Sequence, residues 1–393
     1  MAIISVRKGW LGDMTLLDAI RKAAPGDEIV IEAGHHIREG DFFVMIPLTI
    51  RAERPGTVEI HGQVTIQAAV TLQGLNLRAT QSNSVAVRNG GQATLVQCDL
   101  QSSVPTYALV WVTEGSRAAL GGCVLHDSAA GAVLVAGGSQ VMMTRTDCLG
   151  LVLPAVDVSG ARSHFTARDS RISGIKSSGA WVHDDGEAVF ERCDFSHCAG
   201  DQPTVSVEAR GRATIRESLI HDTPGTGVYA GNHGILVLEA CRFDRTGLAA
   251  VFVRGQGSSV ELADTTIGYG SGSGISAVEQ GAFRAIRCDL QGEPDFGIVA
   301  VENGARGALV SCTVRDGKGI GCYVIGGSQL ELRDCRLSGM AKPGLYASDP
   351  GTLLTMHGTV CSAVTTNAAW IREGAQLKAR TASSRGRSKG GRC

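Results

Sequence analysis

Between Val44 and Arg372 the chain repeats, roughly thirteen times, one unit of 23 to 25 residues: a short apolar run, a Gly-containing turn, a second apolar run ending in Cys, Ser or Thr, and a polar bend. In one repeat, Ala180 and Val182 alternate with Trp181 and His183, which predicts a strand with one face buried. Asp184, Asp185 and Gly186 form its turn, Val189 to Cys193 a second strand, and Ser196 to Gln202 a polar bend. Aligned on the small residue after the second run, the series reads Leu75, Cys98, Cys123, Thr146, Ser170, Cys193, Ser218, Cys241, Thr265, Cys288, Cys312, Cys335, Gly358. So regular a period means stacked supersecondary units, because a single unit cannot bury its own apolar face.

Strands this short, returning in register each turn, predict parallel sheets wound as a solenoid, right-handed because parallel strand twist ordinarily winds that way. The expected fold is all-β, a single-stranded right-handed parallel β-helix of about 12–13 coils. A leucine-rich repeat is excluded by the missing Leu-x-x-Leu-x-Leu-x-x-Asn pattern, and a propeller by its longer blades. A solenoid end exposes strand edges, and Thr15 to Ala24, with Leu16, Leu17, Ile20 and Ala24 on one helical face before Pro25-Gly26, predicts an N-terminal capping helix. The expected divisions are 1–43 for cap and first strand, 44–375 for the β-helix and 376–393 for a basic disordered tail.

The cap and first strand, Thr15, Ala19, Ile20, Ala23 and then Pro25-Gly26-Asp27-Glu28-Ile29-Val30-Ile31, resemble those of the pectate-lyase-like superfamily of right-handed parallel β-helix proteins. That resemblance covers about residues 10 to 375 and implies the fold; for activity it spans lyases, hydrolases, epimerases, phage spikes and non-catalytic binding segments. Polygalacturonase-like members use a neighbouring Asp pair, which Asp184-Asp185 resembles, but their Asn, His-Gly and Arg-x-Lys motifs are missing here.

Composition changes this picture little. The net charge of -1 gives no bulk argument for nucleic acid, and no apolar run is long enough for a membrane helix. Seven of the twelve cysteines occupy one repeated slot, which reads as a ladder of reduced packing residues inside an intracellular, cytoplasmic protein rather than as disulfides. No cofactor or metal is expected.

The candidate chemistry lies on the outward positions of the first strand. One row reads Asp157, Trp181, Ser206, Tyr229, Phe252, Ser276, Val299, Gly321, Tyr346, Ala369; its neighbour reads Ser159, His183, Glu208, Gly231, Arg254, Val278, Val301, Tyr323, Ser348, Ile371. These rows predict an exposed aromatic stripe with an apolar end at Val278, Val299, Val301 and Tyr323, and ligand contacts from Trp181, Tyr229, Phe252, Arg254, Tyr323 and Tyr346. The leading expectation is a non-catalytic binding or scaffold protein presenting that stripe to a protein partner, a second copy or a glycan. The alternative is a polysaccharide-active enzyme, a glycoside hydrolase, lyase or epimerase. It would use Asp157, His183, Asp184, Asp185 and Glu208 as paired carboxylates around an imidazole. A calcium-dependent lyase is disfavoured, since only Arg254 offers a base. His126-Asp127, His197 and His221-Asp222 read as solvated turns. The tail residues Lys378, Arg380, Arg385, Arg387, Lys389 and Arg392 offer a salt-sensitive contact to a polyanion.

Overall fold

The computed structural model describes residues 2–7, 14–79, 81–103, 108–198, 201–268, 270–292, 297–362 and 364–380. The chain divides into two units, Met1–Asp194 and Phe195–Cys393. Both are built the same way, as coils of three short strands, each paired in parallel with its counterpart one turn on. In the first unit, Gly131–Val135, Gln140–Thr144 and Asp147–Leu149 pair with Val156–Ser159, His164–Arg168 and Arg171–Ser173. In the second, Ile275–Val278, Ala282–Ile286 and Asp289–Gln291 pair with Gly297–Glu302, Arg306–Val310 and Thr313–Arg315. The fold is thus an all-β parallel β-helix, with about sixteen turns rather than twelve or thirteen. The early turns were missed because they are shorter: Thr49 pairs with Glu28 and Thr71 with Thr49, offsets of 21 and 22 residues.

The N-terminal helix runs Leu16–Lys22 and buries Leu16 and Ala19. Its start is closed twice over. Thr15 Oγ1 accepts from the Asp18 amide at 3.0 Å, and the Glu39 carboxylate accepts from the amides of Leu16 and Leu17 at 3.1 and 2.9 Å. The preceding strand Ile3–Val6 pairs with Asp27–Ile31. At the other end, Gln376–Arg380 pairs with Leu353–His357, so Lys378 and Arg380 belong to a coil instead of a disordered tail. Arg385, Arg387, Lys389 and Arg392 lie outside the described residues.

The repeated Cys/Ser/Thr slot is a corner rather than a strand end. The residue before it is left-handed, as at Gln97, Arg145, Asp169, Arg192, Asp264 and Arg287, with φ between 47 and 52°. The slot residue is buried and begins the turn into a third strand that the polar bend had concealed, such as Asp194–Ser196. Its side chain donates to the carbonyl two residues back, from Ser170 to Arg168 at 2.8 Å and from Cys288 to Ile286 at 3.4 Å. It also accepts a backbone amide from the previous coil, as Thr265 does from Cys241 at 3.3 Å and Cys312 from Cys288 at 3.4 Å. A small side chain with one donor and one acceptor closes the corner, which is why Cys, Ser and Thr interchange there. Near the C-terminus the slot is Thr359, not Gly358: Thr359 Oγ1 accepts from the Cys335 amide at 3.3 Å.

The eleven described cysteines are all buried, and none of them is in a disulfide. Burial pushes the Cys193 thiol up to about 11 and the Cys322 thiol to about 12, which leaves these two uncharged and poor nucleophiles. Cys288→Ser is expected to be tolerated because it keeps the donor and acceptor. Cys288→Leu removes both and overfills the corner, with an expected loss of about 1–3 kcal/mol in denaturant melts. Equal stability of the Leu variant would show the corner to be open.

Candidate functional site

In the first unit, the strands Val156–Ser159 and Ala180–His183 lie side by side, Asp157 opposite Trp181 and Ser159 opposite His183. Ala180 and Val182 are fully buried, so alternation turns Trp181 and His183 outward. The His183 ring stacks on Trp181 at 3.8 Å between centroids and 21° between planes. Both imidazole nitrogens are engaged by carboxylates: Nε2 with Asp157 Oδ1 at 3.1 Å, and Nδ1 with Asp184 Oδ2 at 2.8 Å. Asp157 reaches His183 diagonally across the ladder, and Asp184 reaches it from the turn.

That turn is made by two consecutive left-handed residues, Asp184 and Asp185, with φ of 51 and 66°. Gly186 follows because a Cβ there would sit 2.6 Å from the Val158 carbonyl oxygen. Burial opposes charge on His183, but the hydrogen bonds to Asp157 and Asp184 outweigh it and raise its pKa above the usual histidine value. The site therefore favours the protonated form of an imidazole held between two acids, beside an indole that is 36% exposed.

A second clamp of the same form was not foreseen. His126 ends the strand Val124–His126, and its Nδ1 meets Asp127 Oδ2 at 2.9 Å and its Nε2 Asp99 Oδ2 at 3.0 Å. Arg78 Nη1 lies 2.5 Å from Asp99 Oδ1. Burial again opposes charge, and the bonds to Asp127 and Asp99 again raise the His126 pKa. Asp99 and Arg78 border a groove of about 620 Å³ that also includes Pro55, Gly56 and Asn76. The signal in the sequence was the dipeptide: His126-Asp127, His183-Asp184 and His221-Asp222 all place His at or near a strand end before a left-handed Asp. In the second unit His221 Nδ1 meets Asp222 Oδ2 at 2.6 Å. There Arg245, and then His221, hold the Asp222 carboxyl well below the usual range.

Both clamped histidines have raised pKa values, so each contributes stability that is complete below about pH 6.5, the unfolded value. That contribution is lost as pH rises through the folded value. Melting temperature is expected to fall over this range in differential scanning calorimetry, and a His126→Asn/His183→Asn double variant should flatten the slope. An unchanged slope would mean that neither imidazole carries the extra proton.

Glu208 belongs to the second unit, where its Oε1 accepts from Ser206 Oγ at 2.6 Å. Arg254 is tied to Glu279 by two bonds of 2.8 Å and is not a spare base. The outward row of this unit runs Ser206, Tyr229, Phe252, Ser276, Ala300, Tyr323, Tyr346, Trp370. Tyr323 therefore belongs to the first row, while Val299 and Val301 point inward and are fully buried, leaving Glu302 beside Val278. Likewise Trp370, rather than Ala369, is outward, and Ile371 pairs with Ala347. A slip of one residue carries every side chain to the other face.

These positions overturn the exposed aromatic stripe, and with it the reading as a non-catalytic scaffold. Tyr229 packs on Phe252 at 5.6 Å and Tyr323 on Tyr346 at 5.2 Å, and all four rings are only half-exposed. Each covers its neighbour, and of the expected apolar end Val299 and Val301 are core, leaving only Val278 and Tyr323 on the outer face. Trp111 stands outward in the first unit beside Leu134, the residue paired with Asp157.

A family profile described as a right-handed beta helix region matches residues 154–310. The fold is a right-handed parallel β-helix. No curated protein gives a significant sequence match. Among solved structures, the catalytic unit of a thermostable GH87 α-1,3-glucanase from Streptomyces thermodiastaticus strain HF3-3 is 15% identical, with a TM-score of 0.52, over 93% of this chain and 69% of that one. A mannuronic acid specific polysaccharide family 6 lyase from human gut microbiota is 15% identical, with a TM-score of 0.47, over 85% and 87% of the two chains. The A-module of mannuronan C-5 epimerase AlgE4 from Azotobacter vinelandii is 12% identical, with a TM-score of 0.34, over 94% and 93%. At 15% identity the likeness to the glucanase is one of fold alone. Among the described residues no helix is long and apolar enough to cross a membrane.

Proposed function

We propose that the chain is a polysaccharide-active enzyme in which His183 is the general acid. The observation that carries this reading is the imidazole held between Asp157 and Asp184 and stacked on the half-open Trp181. The raised pKa favours the protonated form of His183, the form that an acid for a glycosidic or hydroxyl oxygen needs. Asp157 fixes the ring from Nε2. Asp184, whose side chain is 62% exposed, is the partner that can yield Nδ1–H to a substrate oxygen. The outer face of Trp181 offers a platform for a sugar ring. Asp157 and Asp184 are one imidazole and two hydrogen bonds apart, roughly 8 Å at most, a spacing near the about 6.5–9.5 Å between the two carboxyls of inverting glycosidases. Because the ring fills that space, the proton carrier assigned here is His183 and not either turn carboxyl, and neither Asp185 nor Glu208 is needed.

A second reading has one specific observation in its favour. Asp99, which holds His126 Nε2 in the second clamp, borders the groove of about 620 Å³, a size within the ordinary range for ligand sites. The test is a screen of acidic and neutral polysaccharides, reading reducing ends, unsaturated products and epimerised residues, with wild type beside an Asp157→Ala/Asp184→Ala/Asp185→Ala variant. Turnover lost in the triple variant supports the His183 site. Turnover retained there but lost in His126→Asn moves the assignment to the second clamp, and no turnover on any polymer defeats both.

A further inference from the structure

We propose that His36, Glu59 and His61 bind a divalent transition-metal cation on the outer face of the N-terminal coils. His36 lies in the strand His36–Ile37, and Glu59 and His61 in the next strand of the same sheet, Val58–His61. The register sets His36 directly opposite Glu59. Glu59 and His61 are two residues apart, so the pleat carries both side chains to the same face while Val58 and Ile60 go to the core. One nitrogen from each histidine and one carboxylate oxygen all lie within 4.8 Å of one another. Small side-chain rotations bring such a set onto a common ion at the roughly 2.0–2.2 Å that nitrogen and carboxylate ligands adopt.

A plain His–Glu ion pair does not account for His61. Its Nε2 is out of contact with solvent and makes no hydrogen bond, although Glu59 Oε1 stands only 2.5 Å away. The two atoms are close, yet not aligned to share a proton. A cation accepting a lone pair from each relieves that mismatch and satisfies the nitrogen. His36 Nδ1, 3.8 Å from Glu59 Oε2, is placed to complete the set.

Two imidazoles and one carboxylate suit zinc, iron(II) or another first-row ion, whereas calcium and magnesium favour oxygen alone. Three protein ligands also leave coordination positions open, the arrangement of a reactive centre more than of a closed structural one. His61 additionally lines a groove of about 520 Å³ with Arg38, Asp41 and Gln63, which gives an ion held there access to water and to a small anionic or hydroxylated ligand.

The test is calorimetric titration of zinc chloride into the tag-free full chain after chelator treatment, repeated with cobalt(II) and read by its visible absorption. One zinc per chain is expected, with cobalt bands of a four- or five-coordinate nitrogen–oxygen site. His36→Ala and Glu59→Gln should each weaken zinc binding at least a hundredfold and abolish the cobalt bands, without competition by millimolar calcium. The His36 side chain is 61% exposed, so its removal leaves the fold intact, which circular dichroism checks. No stoichiometric zinc, zinc bound equally by both variants, or displacement by calcium would each overturn the proposal.

Discussion

Replacing His183 with Asn should lower turnover on a responsive polysaccharide by at least about a hundredfold while leaving the fold in place. General acid–base groups contribute about 10² to 10⁴ in rate, and Asn keeps one donor and the approximate ring volume but cannot deliver a proton. Because His183 faces outward, its loss removes two surface hydrogen bonds and no core packing. Asp157→Asn should give a milder loss and move the pH profile, since the anion that helps keep the imidazole charged would be gone. The alkaline limb of a general-acid enzyme reports loss of the proton from the ring, so activity should fall as pH rises through the His183 pKa, and in Asp157→Asn it should fall at lower pH. Unchanged kcat in His183→Asn, with a well-folded variant, removes His183 from the chemistry.

The fold was legible because a 23- to 25-residue period is a global signal that single-residue errors do not destroy. The register was legible only where polar residues mark the outward face. In the strand Ala180–His183, Trp181 and His183 interrupt two small apolar residues, and the phase is plain. In Gly297–Glu302, the first five residues are all buried and apolar or glycine, so nothing in the sequence separates inward Val299 from outward Ala300. That one strand produced the misplaced apolar end of the stripe. The two clamps differ for a similar reason. Asp157 and His183 were adjacent in the predicted outward rows, whereas Asp99 lies on the third strand of its coil, in a segment read as a bend. Its approach to His126 depends on a diagonal between coils that only the register of that third sheet reveals. The His36–Glu59–His61 set straddles Val44, where the repeats become readable; His36 and Glu59 are 23 residues apart, but the offsets of 21 and 22 residues in the sheet beside them blur the alignment there.

The largest stability effect is expected at Phe190. Phe190 and Phe165 are fully buried on adjacent coils, with ring centroids 5.7 Å apart and planes at 47°. Their strands pair so that Phe165 faces Ala188 and Phe190 faces Ala167. Large and small side chains thus alternate along a diagonal, each ring occupying the space its alanine partner leaves. Phe190→Ala would set alanine opposite alanine, and Phe165, pinned by its own backbone hydrogen bonds, cannot cross to fill the gap. The expected loss is about 3–5 kcal/mol, against less than about 1.5 kcal/mol for a Leu that restores most of the volume. Since solenoid stability is close to a sum of coil and neighbour terms, the unfolding transition should broaden as the coils around Phe190 open first. Denaturant unfolding followed by hydrogen exchange reads both effects. A loss below about 1 kcal/mol for Phe190→Ala, with no local opening in the strands Glu187–Glu191 and His164–Arg168, would mean that this diagonal packing does not hold the coils together.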